Sequence, residues 1–146
     1  MFSVGPISGA GPLTQAMATA ASGMNTQAVR MRIATENLTN ASSTASTPGG
    51  DPYQRRFMTF EQRVDRATGA QIVQTGRIGA DRTPFRTEFE PAHPAADERG
   101  YVRMPNISPL IEQADLRGAQ LSYEASMSVL QQARSLYSKT LDLLKG

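Results

Sequence analysis

The side chains with most chemical promise lie between positions 85 and 98. His93 is the single histidine of the 146-residue chain. Glu88 with Glu90, and Asp97 with Glu98, are the nearest approach to paired carboxylates, the arrangement general acid–base chemistry uses. Neither feature has the company it needs. A metal site takes three or four ligands, and His93 sits among Pro91 and Pro94 in a chain without cysteine. The expectation there is a rigid turn whose ring caps backbone groups. Glu88 and Glu90 share a strand face with Arg86, which reads as a solvated, salt-bridged surface. Gly49-Gly50 is not followed by a Lys-bearing helix start, so no phosphate cradle is present. Arg55-Arg56 stands in a charge-balanced stretch and reads as a salt-bridging pair rather than a nucleic-acid contact. No catalytic, cofactor or metal site is expected.

Composition points the same way. The 15 basic and 13 acidic residues are spread evenly, with no basic face of the kind that neutralises phosphates. Trp is absent and only nine residues are Phe or Tyr. Large aromatics supply much of the burial in small domains, so a self-sufficient globule is disfavoured. No stretch approaches the roughly 20 apolar residues that span a bilayer. Neither membrane insertion nor a cleaved amino-terminal signal is expected.

What positions these side chains is a pair of helices around an insert. Residues 1–11, rich in glycine, read as a flexible lead-in. From Pro12 to Asn40, the positions Leu13, Met17, Ala20, Met24, Gln27, Met31, Ala34 and Leu38 alternate spacings of four and three, a heptad seam. Ala28 is placed to fill the stripe beside Gln27. Asn37 and Asn40 are expected to satisfy backbone groups at the helix end. Residues 41–52 form a loop. Residues 53–107 are cut by prolines into short pieces. Phe85, Thr87 and Phe89 form a half-buried strand pattern, and 53–60 and 71–78 are weaker candidates. Residues 41–107 are therefore read as loop and β-rich insert. A second helix opens at Ser108, a candidate N-cap, with Pro109 in its first turn. Its seam runs through Leu116, Gln120, Tyr123, Met127, Leu130, Arg134, Tyr137, Leu141 and Leu144, with Ala119 and Ala133 beside the two polar interruptions.

The expected fold is mainly α: long antiparallel terminal helices, coiled-coil-like, with a small irregular β-rich insert. Residues 12–40 and 108–146 form the two halves of one core. Both stripes are interrupted and rich in alanine, so one pair buries modest area and the helices need neighbours. Met24, Met31, Leu38, Tyr123, Met127, Leu130, Tyr137 and Leu141 are the expected subunit-packing residues. The methionines read as interface filler in preference to a peptide groove.

Two stretches carry a family resemblance. Ala34-Thr35-Glu36-Asn37-Leu38-Thr39-Asn40-Ala41 resembles the Asn-rich end of the first helix in flagellar rod and hook proteins, with Thr39 where Ala is usual. Residues 91–107 are similar to the His-Pro-x-Ala-Asp-x-x-Gly-Tyr-Val-x-x-Pro-Asn-Val signature of the FlgC-type proximal-rod family. His93, Pro94, Gly100, Tyr101, Val102, Pro105 and Asn106 match it, as Asn37, Asn40 and Ala41 match the first. Ser122-Tyr123-Glu124-Ala125 resembles the family's carboxy end, with Ser126 where Asn is common. The uncharged lead-in before Leu13 departs from the pattern.

The resemblance implies a structural subunit of the bacterial flagellar basal-body rod, not an enzyme, that transmits torque and needs no cofactor. It implies export through the flagellar type III apparatus without a cleaved signal. The implied partners are copies of itself, other rod proteins, and the export apparatus and ring components at the rod base. Another axial protein of rod or hook, or a secreted helical interaction module, is the alternative.

Overall fold

A computed structural model describes residues 11–146. The lead-in expected over 1–11 lies, apart from Gly11, outside the described residues. Helix α1 spans Pro12–Thr39 and helix α2 spans Pro109–Lys145. At 1.5 Å per residue these are about 42 and 55 Å long. Each begins with proline in its first turn, where the missing N–H is no loss. Asn40 closes α1: its backbone N–H (3.1 Å) and its Nδ2 (2.9 Å) both donate to the Glu36 carbonyl. Ser108 occupies the N-cap position of α2, but its hydroxyl makes no capping bond.

Between the helices lie two antiparallel ribbons. Strands β1 (Arg56–Val64) and β2 (Gln71–Ala80) form the longer one, and β3 (Arg86–Phe89) pairs with β4 (Tyr101–Met104) in the shorter. The register of the long ribbon shifts between Met58 and Phe60. Gly76 sits in this bulge, where an added Cβ would stand 2.6 Å from Thr59 Oγ1. The expected strand at 85–89 forms, but all four β3 residues are exposed, so the alternation there does not mark a buried face. Among the described residues no ion pair forms at Glu88 or Glu90, and the expected salt-bridged face is a solvated one.

The core is thin and made of small side chains. Ala20, Ile33, Ala34, Ala119 and Ala133 are buried on the helices, and Val102 and Ile107 within the insert. Alanine lets helix backbones approach closely, which is why the seam can close without large residues. In α2, Ala119 and Ala133 are buried while Gln120 and Arg134 are exposed. In α1 the repair at Gln27 does not occur: Ala28 is exposed, and Gln27 Oε1 is buried without a hydrogen-bond partner. A helix position one residue on is rotated about 100°, which carries Ala28 out of the seam.

Candidate assembly surface

Three faces of the helix pair differ in chemistry. The first joins α1 to the long ribbon, and it is polar. Gln15 Nε2 donates to the Thr68 carbonyl (3.1 Å) and Thr19 Oγ1 to that of Gln71 (2.8 Å), while the Thr26 hydroxyl is shared between the Ser22 carbonyl of its own helix (2.9 Å) and that of Val73 (3.2 Å). Ser22 Oγ accepts the Val73 N–H at 3.2 Å. The helix thereby satisfies the outer edge of β2, a row of backbone groups that would otherwise invite a foreign strand. Hydrophobic periodicity misses this face, because its residues are Gln, Thr, Ser and Thr. Their spacing of four, three and four is the available signal.

The second is a buried junction where α1 ends, α2 begins and the insert enters. Asn37 Nδ2 donates to the Arg56 carbonyl (2.9 Å) and to Glu112 Oε2 (3.0 Å). Its Oδ1 accepts the Arg56 N–H (2.9 Å) and the Tyr53 hydroxyl (3.3 Å). Arg55 Nε donates to Glu112 Oε1 at 2.5 Å, and its backbone N–H reaches Asn106 Oδ1 at 2.8 Å. Asn106 Nδ2 ties down the Asp81 and Thr83 carbonyls, both at 3.0 Å. Glu112 is only 1% exposed. Burial alone would lower the Arg55 guanidinium, but the bond and charge of Glu112, with Asp81 behind it, move it up. Burial, and then the Glu36 carboxylate, push the Tyr53 phenol above its ordinary 10.0. Further along the helices, Arg30 pairs with Asp115. Arg56 pairs with Glu36 at 3.0 Å, so both arginines of the Arg55-Arg56 pair are spent within the chain.

The third face is the outer flank of α2. Among the structural elements described, α2 touches α1 alone. Ile111, Val129, Leu136 and Leu143 form an exposed apolar line, with Leu143 83% exposed. Gly118 and Ala125 lie on the same line, which sits about 100° round the helix from the side facing α1. At Gly118 an added Cβ would meet nothing within 4 Å. Leu110 and Leu121 are exposed on the far side.

Of the expected packing residues, Met24, Met31, Leu38, Tyr123 and Leu130 are half-buried. Met127, Tyr137 and Leu141 are exposed. Asn37, Gly100, Val102 and Pro105 are buried; Asn40, Ala41, His93 and Asn106 are half-buried; Pro94 and Tyr101 are exposed. His93 Nδ1 accepts the Ala95 N–H at 3.0 Å, capping the turn. Gly100 takes φ +83°, and an added Cβ there would stand 3.0 Å from both Phe89 and Pro91. Asp97 Oδ1 accepts the N–H groups of Tyr101 and Arg99, each at 2.9 Å. The Tyr101 bond foremost holds its carboxyl below the ordinary 3.8. Among the described residues no group of three metal-binding side chains converges, and no helix is long and apolar enough to cross a membrane.

No family model matches the chain. It is 46% identical over 135 residues to the flagellar basal-body rod protein FlgC of Agrobacterium fabrum, covering 92% of this chain and 97% of that one. It is 35% identical over 126 residues to FlgC of Escherichia coli O6:H1 (85% and 92% covered). To FlgC of Borreliella burgdorferi it is 31% identical over 145 residues (87% and 94% covered).

Proposed function

The chain belongs to the FlgC family of flagellar basal-body rod proteins, and from that premise we propose how its helices make it a rod subunit. Its role is structural and not enzymatic, its place is the flagellar basal body, and it assembles with other rod components. We read α1 and α2 as an antiparallel, coiled-coil-like pair. The support is the order of partners: Gly23 lies against Ser126, Arg30 pairs with Asp115, and Asn37 bonds Glu112.

The single observation that carries the assembly reading is the apolar line Ile111, Val129, Leu136 and Leu143 on the outer flank of α2. Val129, Leu136 and Leu143 follow one another along it, with Ile111 beyond Ala125 and Gly118, and an exposed apolar strip of this kind on a helix is a contact surface. This helix has already spent its other side on α1. Neighbouring subunits cover the line in the rod, and copies related head to tail build a helical tube instead of a closed ring. Met127, Tyr137 and Leu141, at the rim of the helix pair, extend the contact. Met24, Met31, Leu38, Tyr123 and Leu130 hold the pair from within. The chain reaches its place through the flagellar export apparatus without a cleaved signal, and the insert meets neighbours along the axis.

The test is Leu136→Asp with Leu143→Asp. In the lone chain both sites face water, so circular dichroism of the purified variant matches the parent. In the rod two carboxylates would be buried without partners, so cells carrying it export the chain but do not swim. A swimming strain overturns the reading.

A further inference from the structure

The apolar seam between α1 and α2 does not define a single alignment. Ala119, Ser126 and Ala133 recur every seven residues on the side of α2 that faces α1. Gly23 meets Ser126: an added Cβ would stand 3.0 Å from its Oγ and 3.8 Å from its Cβ. Sliding α2 by one heptad, about 10 Å, brings Ala119 or Ala133 to Gly23, and the seam closes on another small residue. Apolar heptads commonly permit such slips, and buried polar side chains remove them.

Two polar features break this degeneracy: the half-buried Arg30–Asp115 pair, which a slip also separates, and the more deeply buried polar junction. Its three members come from three parts of the chain: Asn37 from the last turns of α1, Arg55 from the entry to the insert, and Glu112 from the first turn of α2. Glu112 receives both Arg55 Nε and Asn37 Nδ2. Asn37 also binds both backbone groups of Arg56, so the insert cannot follow α2 when α2 slides. One heptad of slip leaves a buried carboxylate without either donor. We propose that Asn37, Arg55 and Glu112 are the positioning residues that select one register for the helix pair, and through it the alignment of the α2 outer line presented to neighbours. This goes beyond the assembly reading and stands independently of which surface neighbours cover.

The chain has no cysteine, so disulfides can report the register directly. Gly23→Cys with Ser126→Cys marks the observed alignment, because a Cβ–Cβ distance near 3.8 Å suits a disulfide. Gly23→Cys with Ala119→Cys, or with Ala133→Cys, marks the slipped ones. Each full-length chain is equilibrated in a glutathione redox buffer, and the oxidised fraction is read by mass spectrometry. In the parent background the 23–126 link dominates. Replacing the junction by apolar residues of similar size (Asn37→Leu, Arg55→Met, Glu112→Met) drops that link about tenfold relative to the slipped pairs. One slipped pair gains what it loses. A 23–126 link as strong as in the parent overturns the proposal. So does its loss without gain at 119 or 133, because that result marks a merely structural role.

Discussion

The two ends of the helix pair are built on opposite principles. Where α1 ends and α2 begins, polar groups are buried: Glu112 and Asn37 are enclosed and hydrogen-bonded to each other, and the half-buried Arg55 covers Glu112. Toward the other end of α2 the arrangement inverts, and apolar groups face water, with every residue from Arg134 to Gly146 exposed. Buried polar groups are costly unless paired, so they discriminate among arrangements. Exposed apolar groups discriminate little but bind readily once a neighbour arrives. On the reading proposed above, one end fixes how the chain folds on itself, and the other is left for what it meets.

The contrast can be tested by its magnitudes. Glu112→Ala should weigh most, because Arg55 and Asn37 lose a buried partner. Breaking a buried pair costs about 3–5 kcal/mol, read as a drop in the urea midpoint. Gly100→Ala should cost about 1–3 kcal/mol, from the positive φ and the contacts with Phe89 and Pro91. Thr26→Val keeps the shape but removes the hydroxyl that reaches Val73, for about 1–2 kcal/mol. Its signature is faster amide exchange along β2 with α2 unchanged. Leu136→Asp should fall within about 0.5 kcal/mol in the lone chain. A loss comparable to that of Glu112→Ala would show that the far end is already packed internally and would erase the distinction.

Acid separates a further element. The Asp97 carboxyl has its pKa lowered by folding, so its contribution is present above the unfolded value near 3.8 and is lost as pH falls through the lower folded value. Asp97→Asn should flatten that part of the acid unfolding curve. Hydrogen exchange at the Tyr101 amide, which Asp97 accepts, reports it locally.

Much of this was legible in the residues. Pro12, Pro109 and the heptad spacing place both helices, and the prolines from 84 to 105 announce short pieces between them. The cap at Asn40 and the turn at His93 followed from side-chain chemistry acting within a few residues. Asn37 was legible only as a helix-end amide. Its bonds to Arg56 and Glu112 reach 19 and 75 residues along the chain, and nothing local announces them. The face formed by Gln15, Thr19, Ser22 and Thr26 escaped because an apolar count assigns these residues no weight. Thr87 and Phe89 misled in the other sense: alternation predicted a half-buried face, but every β3 residue is exposed and only Phe85, just before the strand, is half-buried.

Residue type and spacing alone placed the two amphipathic helices and the broken insert between them. Those depend on propensity and period, which act within a turn or two of the chain. Only the tertiary structure decided which flank of α2 stays uncovered and which carboxylate is enclosed. Both depend on groups far apart in the chain being brought within hydrogen-bonding reach, and a repeating seam of small residues is silent about which repeat meets which.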